Sequence, residues 1–258
     1  MTMLGQKKKV TNEQWEALFR NIGNIVSKAE IDNAIDSCVE ELKAASKGKR
    51  VGFAWSGGKD SIALYFLCKE AGIINGVWGK TQLEYPAFEQ WCYANKPDGV
   101  RVYDMGLNLV WLSKHQGLLF PANGPTDDKW MPITYWKAQQ QFYDNERLDM
   151  LVLGRRLKDG NFCGKNKFHV SKSKVSYNPM AFWSHEYVLA LIHYYHLPLP
   201  PIYQWPEGWV YGTHEWARRN LKHHTVNEVW GAIYQIDKSI VCNAAGYIPS
   251  ARNFLITK

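Results

Sequence analysis

Apolar residues change their spacing along this chain, and the changes predict its elements. Between Thr11 and Lys47 they recur at intervals of three and four: Trp15, Leu18, Phe19 and Ile22, then Ile31, Ile35, Cys38 and Leu42. Each set is the one-sided stripe of an amphipathic helix, and Thr11 with Gln14 three residues on supplies a capping pattern for the first. Ser46 to Arg50 is a polar joint. Short apolar runs then alternate with helical patterns: strand 51–55, helix 60–71, strand 73–78, helix 86–95, strand 100–104, helix 133–146, strand 150–154 and helix 184–196. Such alternation predicts an α/β protein whose parallel sheet has both faces covered by helices. The pattern divides into an N-terminal helical extension over 1–47, an α/β region over 48–200 and an irregular C-terminal extension over 201–258.

Two stretches break the rhythm. Residues 105–132 are long and carry Pro121, Gly124 and Pro125, which predicts either a lid or an insertion packed on the surface. The tail after Leu197-Pro198-Leu199-Pro200-Pro201 is rich in Trp and Tyr, with one helix expected near 225–238. No internal repeat or low-complexity segment appears.

Composition narrows the class. The 258 residues, 46% of them hydrophobic, suffice for a sizeable core. No apolar run is long enough to span a membrane, and Met1 to Val10 carries Lys7-Lys8-Lys9 without the hydrophobic stretch of a secretory signal. Five scattered cysteines, an odd number, are not a disulfide framework, so a reduced cytoplasmic protein is expected. A formal charge of +7 suits an anionic partner, a nucleotide as well as a nucleic acid. Lys7 to Lys9 read as a solvated tail. Lys165, Lys167, Lys172 and Lys174 fall in a Gly/Ser/Asn-interrupted stretch that is either a mobile loop facing phosphate or merely a soluble one.

The candidate chemistry starts where the first strand ends. Ser56-Gly57-Gly58-Lys59-Asp60-Ser61 sits between an apolar run and an amphipathic one, so it reads as strand, tight loop, helix. Glycines without side chains let backbone N–H groups close on an anion, and a helix start adds unpaired N–H groups and the positive end of its dipole. The loop is too short for the Walker pattern and lacks its Lys-Ser/Thr ending. Arg155 and Arg156 follow a buried strand and Gly154, a poor position for mere solubility but a good one for gripping an anion with forked donors. The competing reading is an ion pair with Asp149 or Asp159.

Ser56 to Ser61 resembles the PP-loop of the ATP pyrophosphatases. Four more segments, in order, are similar to phosphoadenosine-phosphosulfate (PAPS) reductases: Thr81-Gln82-Leu83-Glu84-Tyr85-Pro86; Leu151-Val152-Leu153-Gly154-Arg155-Arg156; Asn178-Pro179 through Trp183 and Val188 to Leu197-Pro198; and Gly208 to Thr213. The resemblance covers roughly residues 50 to 215. It implies a three-layer Rossmann-like fold, with ligands beyond the carboxyl ends of the strands near Ser56, Thr81 and Arg155. It further implies that residues 48–200 bind an adenine nucleotide and that 201–258 complete the substrate site. ATP and Mg²⁺ are the expected cofactors, with no protein-held metal cluster. In this reading Gly57 and Gly58 N–H groups hold the β and γ phosphates, Lys59 brings charge, Ser56 and Ser61 bring hydroxyls, and Thr81 completes the binding set. Lys59, Arg155 and Arg156 are the expected catalytic residues. Asp60 either caps the loop–helix junction or helps place Mg²⁺, the cap being favoured.

The resemblance also breaks. A PAPS reductase needs a cysteine in a carboxy-terminal Glu-Cys-Gly-x-His segment, and this chain offers only Val241-Cys242-Asn243. No two cysteines are adjacent or in C-x-x-C spacing, and Cys242 reads as a small buried hydrophobe. Lys80 and Gln82 stand where the family has Asp and Gly. The expectation is therefore an ATP-dependent adenylyl-transfer enzyme. The alternatives are a thiol-dependent reductase and an inactive nucleotide-binding module acting through a protein partner or on nucleic acid. Trp55 is read as core rather than as an adenine stack. His193 with His196, and His223 with His224, are read as non-metal residues. His214, Arg218 and Arg219 are further candidates for substrate contact, Lys158 and Asp159 weaker ones.

Overall fold

The computed structural model describes residues 10–221 and 224–258; Lys7 to Lys9 and His223 lie outside them. Helix α1 (Asn12–Arg20) opens with the expected capping box: Thr11 Oγ1 accepts from Gln14 N, and the Gln14 side chain accepts from Thr11 N. α2 (Lys28–Ser46) is capped by Ser27. The alternating region runs β1 (Val51–Ala54), α3 (Lys59–Glu70), β2 (Gly76–Lys80), α4 (Pro86–Asn95) and β3 (Val100–Asp104). Three short helices and a longer one follow, with a 3₁₀ turn among the short ones: α5 (Leu109–Lys114), α6 (Gly124–Asp128), α7 (Trp130–Ile133) and α8 (Tyr135–Asn145), the turn lying at Gln116–Leu118. The chain then forms β4 (Met150–Val152), β5 (Phe168–Ser171), β6 (Lys174–Tyr177) and α9 (His185–Tyr194). It ends in α10 (Gly208–Tyr211), α11 (Val226–Ile236), α12 (Lys238–Ala245) and α13 (Pro249–Thr257).

The strands pair in the order β3-β2-β1-β4-β6-β5, parallel except for β5, which runs antiparallel to β6. Alternation along the strands divides the core. Phe53, Trp78, Val100, Met150 and Val152 face a large core shared with residues of α1 to α4 and α9. Val77, Leu151 and Leu153 face a smaller one closed by Ala138 and Phe142 of α8. The result is three layers, helices on both faces of the sheet, as the sequence predicts. α8 lies so close that a Cβ on Gly79 would come within 2.5 Å of the Ala138 Cβ.

Three expectations change. The second strand starts at Gly76, not at residue 73, because Gly72 turns left-handed (φ +79°) and Ile73 N donates back to Cys68 O. Ile73 thus ends a helix instead of starting a strand. The lysine-rich stretch is not a loop: Phe168, Val170, Val175 and Tyr177 alternate along a hairpin, where Lys167 pairs with Glu41 and Lys174 with Asp144. The tail folds as three helices after residue 225 rather than one.

Residues 105–132 are a packed insertion. Phe120 and Trp130 are buried, Phe120 N donates to Ala217 O, and the Phe120 ring meets Trp230 edge-on at 4.7 Å. Among the described residues, no helix is long and apolar enough to cross a membrane.

Candidate functional site

The loop after β1 is held by its own residues. Gly57 takes φ +70°, and a Cβ there would lie 2.7 Å from Cys92 Sγ, so both backbone and space require glycine. Ser61 Oγ donates to Gly58 O (2.8 Å) and accepts from Ser56 N (3.1 Å), which ties the loop shut. Its hydroxyl proton is spent on that closure, a correction to its expected role as a donor to phosphate. Gly58 is the N-cap of α3 and, having no side chain, makes no capping bond of its own. First-turn amides without an intrahelical partner are what an anion site requires. One of them, Lys59 N, already donates to the Tyr203 hydroxyl at 2.9 Å.

The loop opens on a cleft of about 240 Å³ at the carboxyl ends of β1, β2 and β4. Ser56, Asp60 and Ser61 form one wall, Tyr135 and Gln139 of α8 another, and Arg155, Thr213 and His214 contribute too. Arg155 is partly buried, and loss of water pushes its guanidinium below the ordinary arginine value. Among the described residues no carboxylate lies within ion-pair distance of it.

Neither a family model nor a curated protein sequence matches the chain. Solved structures do. PAPS reductase from Candida auris, solved as a phosphate complex, aligns with 69% of this chain and 92% of its own, at TM-score 0.50 and 17% identity. The U34-tRNA thiolase NcsA from Methanococcus maripaludis, solved with its 4Fe-4S cluster, aligns with 95% of this chain and 78% of its own, at TM-score 0.40 and 13% identity. This chain has the PAPS reductase-like fold.

Within that PAPS reductase-like fold, several expected site residues stand elsewhere. Lys59 is 2% exposed; its ammonium lies 2.7 Å from Asp60 Oδ2 and 5.3 Å from the Trp15 ring centroid, beneath the loop rather than in the cleft. Arg156 is fully buried. Its Nε and Nη2 reach Asp60 Oδ1 at 2.9 and 2.8 Å, and Nη2 reaches Asp159 Oδ2 at 2.9 Å. The ion-pair reading with Asp159 therefore describes Arg156, and the exposed-fork reading suits Arg155 alone. Asp60 does not cap α3; it is clamped between two cations at the cleft edge. His185 Nδ1 sits 3.3 Å from Arg156 Nη2, and burial, then Arg156 and Lys59, push its pKa down to about 4, so the ring is neutral. Thr81 is fully buried and outside the cleft lining: its Oγ1 accepts from Leu83 N, and its N–H donates to Glu84 Oε1. Of the later candidates only His214 lines the cleft. Arg218 pairs with Asp127 and Glu215, and Arg219 with Glu207.

Trp55 packs on Trp78 and Trp91 as a core residue, with one edge at the cleft. Cys242 is exposed on α12, contrary to the buried reading, and does not line the cleft. Sequence reasoning missed Tyr135 and Gln139, although their i, i+4 spacing on a predicted helix was a usable sign. It also missed the buried carboxylates Glu84 and Glu215: burial raises the pKa of both, and the charge of Glu215 raises that of Glu84 further. Glu215 accepts from Arg218 and from the Tyr135 hydroxyl, so the pair's proton belongs to Glu84.

The donor set does not fit a protein-held Mg²⁺. Among the described residues Asp60 is the single carboxylate lining the cleft, and two cations already compensate it.

Proposed function

We propose that the cleft binds an adenine nucleotide, with phosphate oxygens on the loop amides of residues 57–61 and on Arg155. We further propose that the protein is an enzyme cleaving ATP between its α and β phosphates. An acceptor oxygen bonds to the α-phosphorus and the α–β bridging bond breaks. Pyrophosphate then leaves with that bond's electron pair, while the acceptor's proton passes to solvent.

The observation that carries this reading is Arg155: a partly desolvated guanidinium lining the same cleft as the Gly58-capped start of α3, with no carboxylate within ion-pair distance among the described residues. Unpaired, dehydrated cations are costly unless an anion joins them. Pyrophosphate is an anion of the right size for a cleft of this volume. The PAPS reductase of like fold was itself solved with phosphate. The chemistry asks for positioning and charge neutralisation, not a protein nucleophile. Residues 201–258 would take part through Thr213 and His214.

The test is pyrophosphate release from ATP–Mg²⁺ with sulfate, nucleosides, RNA and DNA offered separately as acceptors. Release that depends on one acceptor and disappears in Arg155→Ala supports the reading; ATP binding without release under any condition ends it. Because Cys242 is exposed, a thiol-dependent reductase is the second reading. It requires sulfite release from PAPS that stops in Cys242→Ser.

A further inference from the structure

Two phenylalanines flank the arginine loop on the solvent side. Phe162 is 67% exposed and Phe182 is 68% exposed, although each could have been buried in a protein of this size. Backbone hydrogen bonds fix both beside the arginines: Leu157 N donates to Ala181 O (2.9 Å), and Asn161 N donates to Arg156 O (3.3 Å). Leu157, whose N–H makes the first of these bonds, is itself half exposed. The segment around Phe162 is stiff. Buried Asn178 donates through Nδ2 to Cys163 O and Lys167 O, and Gly164 (φ +76°) passes so close to Phe168 O that no Cβ would fit.

The same shelf is cationic. Residues 155–167 hold Arg155, Arg156, Lys158, Lys165 and Lys167 against Asp159 alone. Asp159 is spent on Arg156, and Lys167 is spent on Glu41. Among the described residues Lys158 and Lys165 have no ion-pair partner. Exposed rings on a hydrogen-bonded backbone, one of them with the Lys167 ammonium 5.8 Å from its centroid, and uncompensated ammonium groups nearby in the chain match a polyanion with flat apolar faces.

We propose that this shelf binds single-stranded nucleic acid, bases stacking on Phe162 and Phe182 and phosphates resting on Lys158 and Lys165, so that the acceptor delivered to the cleft is a nucleotide unit of that strand. The inference rests on the nucleotide reading of the cleft. Stacking on aromatic rings with a basic track is how single strands are held without sequence preference, whereas a duplex hides the base faces these rings would need.

The experiment is fluorescence anisotropy of labelled single-stranded RNA and DNA 12-mers, and of the matching duplex, with the full chain. The Phe162→Ala/Phe182→Ala variant should bind single strands at least tenfold more weakly with an unchanged salt slope. Lys158→Ala/Lys165→Ala should flatten the slope of log affinity against log salt by about 1.4, two contacts at ~0.7 each. Equal binding by the phenylalanine variant, equal affinity for duplex, or no oligonucleotide binding would overturn the proposal, the last leaving the shelf to a protein partner. ATP affinity measured on the same samples separates the two ideas. Oligonucleotide binding through the phenylalanines without ATP binding keeps the shelf and rejects the nucleotide cleft; ATP binding alone does the reverse.

Discussion

Arg156 grips a single oxygen of Asp60, with Nε at 2.9 Å and Nη2 at 2.8 Å, from a position 96 residues later in the chain. The pair joins the first turn of α3 to the loop after β4. It makes neighbouring arginines do different work. Arg156→Ala leaves Asp60 and Asp159 short of a buried counter-charge, and should cost about 3–5 kcal/mol in denaturant unfolding. Arg155→Ala should stay within about 0.5 kcal/mol of the parent in stability. Its ATP affinity should fall roughly 10- to 100-fold, the loss of one charge-assisted contact of about 1.5–3 kcal/mol. Titration calorimetry beside denaturation would decide; two variants with the same stability loss would erase the distinction.

Glu84 should make the fold more stable in mild acid. Burial and the neighbouring Glu215 raise its pKa well above the ordinary carboxylate value, so the folded protein holds a proton the unfolded chain releases above pH ~4.5. The stability this contributes is complete below that pH and is lost as pH rises through the raised folded value. Glu84→Gln keeps an oxygen to accept from Thr81 N and has no charge to bury. The variant's melting temperature minus the parent's should therefore climb between pH 5 and pH 8. A flat difference would mean that Glu84 is ionised in the folded protein.

What the sequence disclosed follows from how local each cause is. Gly57 and Gly58 declare themselves because a left-handed turn and an open helix start are properties of a few adjacent residues. The amphipathic stripes of α1, α2 and α9 are equally local. The partners of Lys59 and Arg156 are not: whether a cation faces a cleft or a buried carboxylate depends on Asp60 meeting a loop some 96 residues away. Tyr203, which occupies the Lys59 amide from 144 positions along the chain, left no sign at all. The β5–β6 hairpin did leave one, since Phe168, Val170, Val175 and Tyr177 obey period two. Lysines between them gave the segment the composition of a loop, and composition outweighed pattern. Residues 105–132 could be read as lid or insertion until Phe120 was seen against Trp230.

His185 gives the opposite pH response to Glu84. Its pKa falls to about 4 through burial and the nearby charges of Arg156 and Lys59. Below pH ~6.5 the unfolded chain takes up a proton that the folded ring refuses, so stability present above 6.5 declines until the folded ring titrates. The loss across that window is on the order of 3 kcal/mol. His185→Asn retains an acceptor near Arg156 without a titrating ring. Its unfolding free energy should vary less than the parent's between pH 6.5 and 4.5, and parallel curves would show that another group governs the acid limb.

Tyr203 poses the last question, because its hydroxyl accepts the hydrogen bond of an amide that a phosphate oxygen would also want. The hydroxyl is buried, and burial pushes its pKa up, so it stays a neutral acceptor. In Tyr203→Phe the Lys59 N–H loses its partner, and the unliganded protein should lose about 1 kcal/mol. An anion in the loop could then take up that N–H without displacing anything. If the tyrosine competes with phosphate, pyrophosphate should raise the melting temperature of Tyr203→Phe more than that of the parent. If instead it props the loop open for the anion, the variant's shift should be the smaller one, and the amide of Lys59 would have to be struck from the phosphate-binding set.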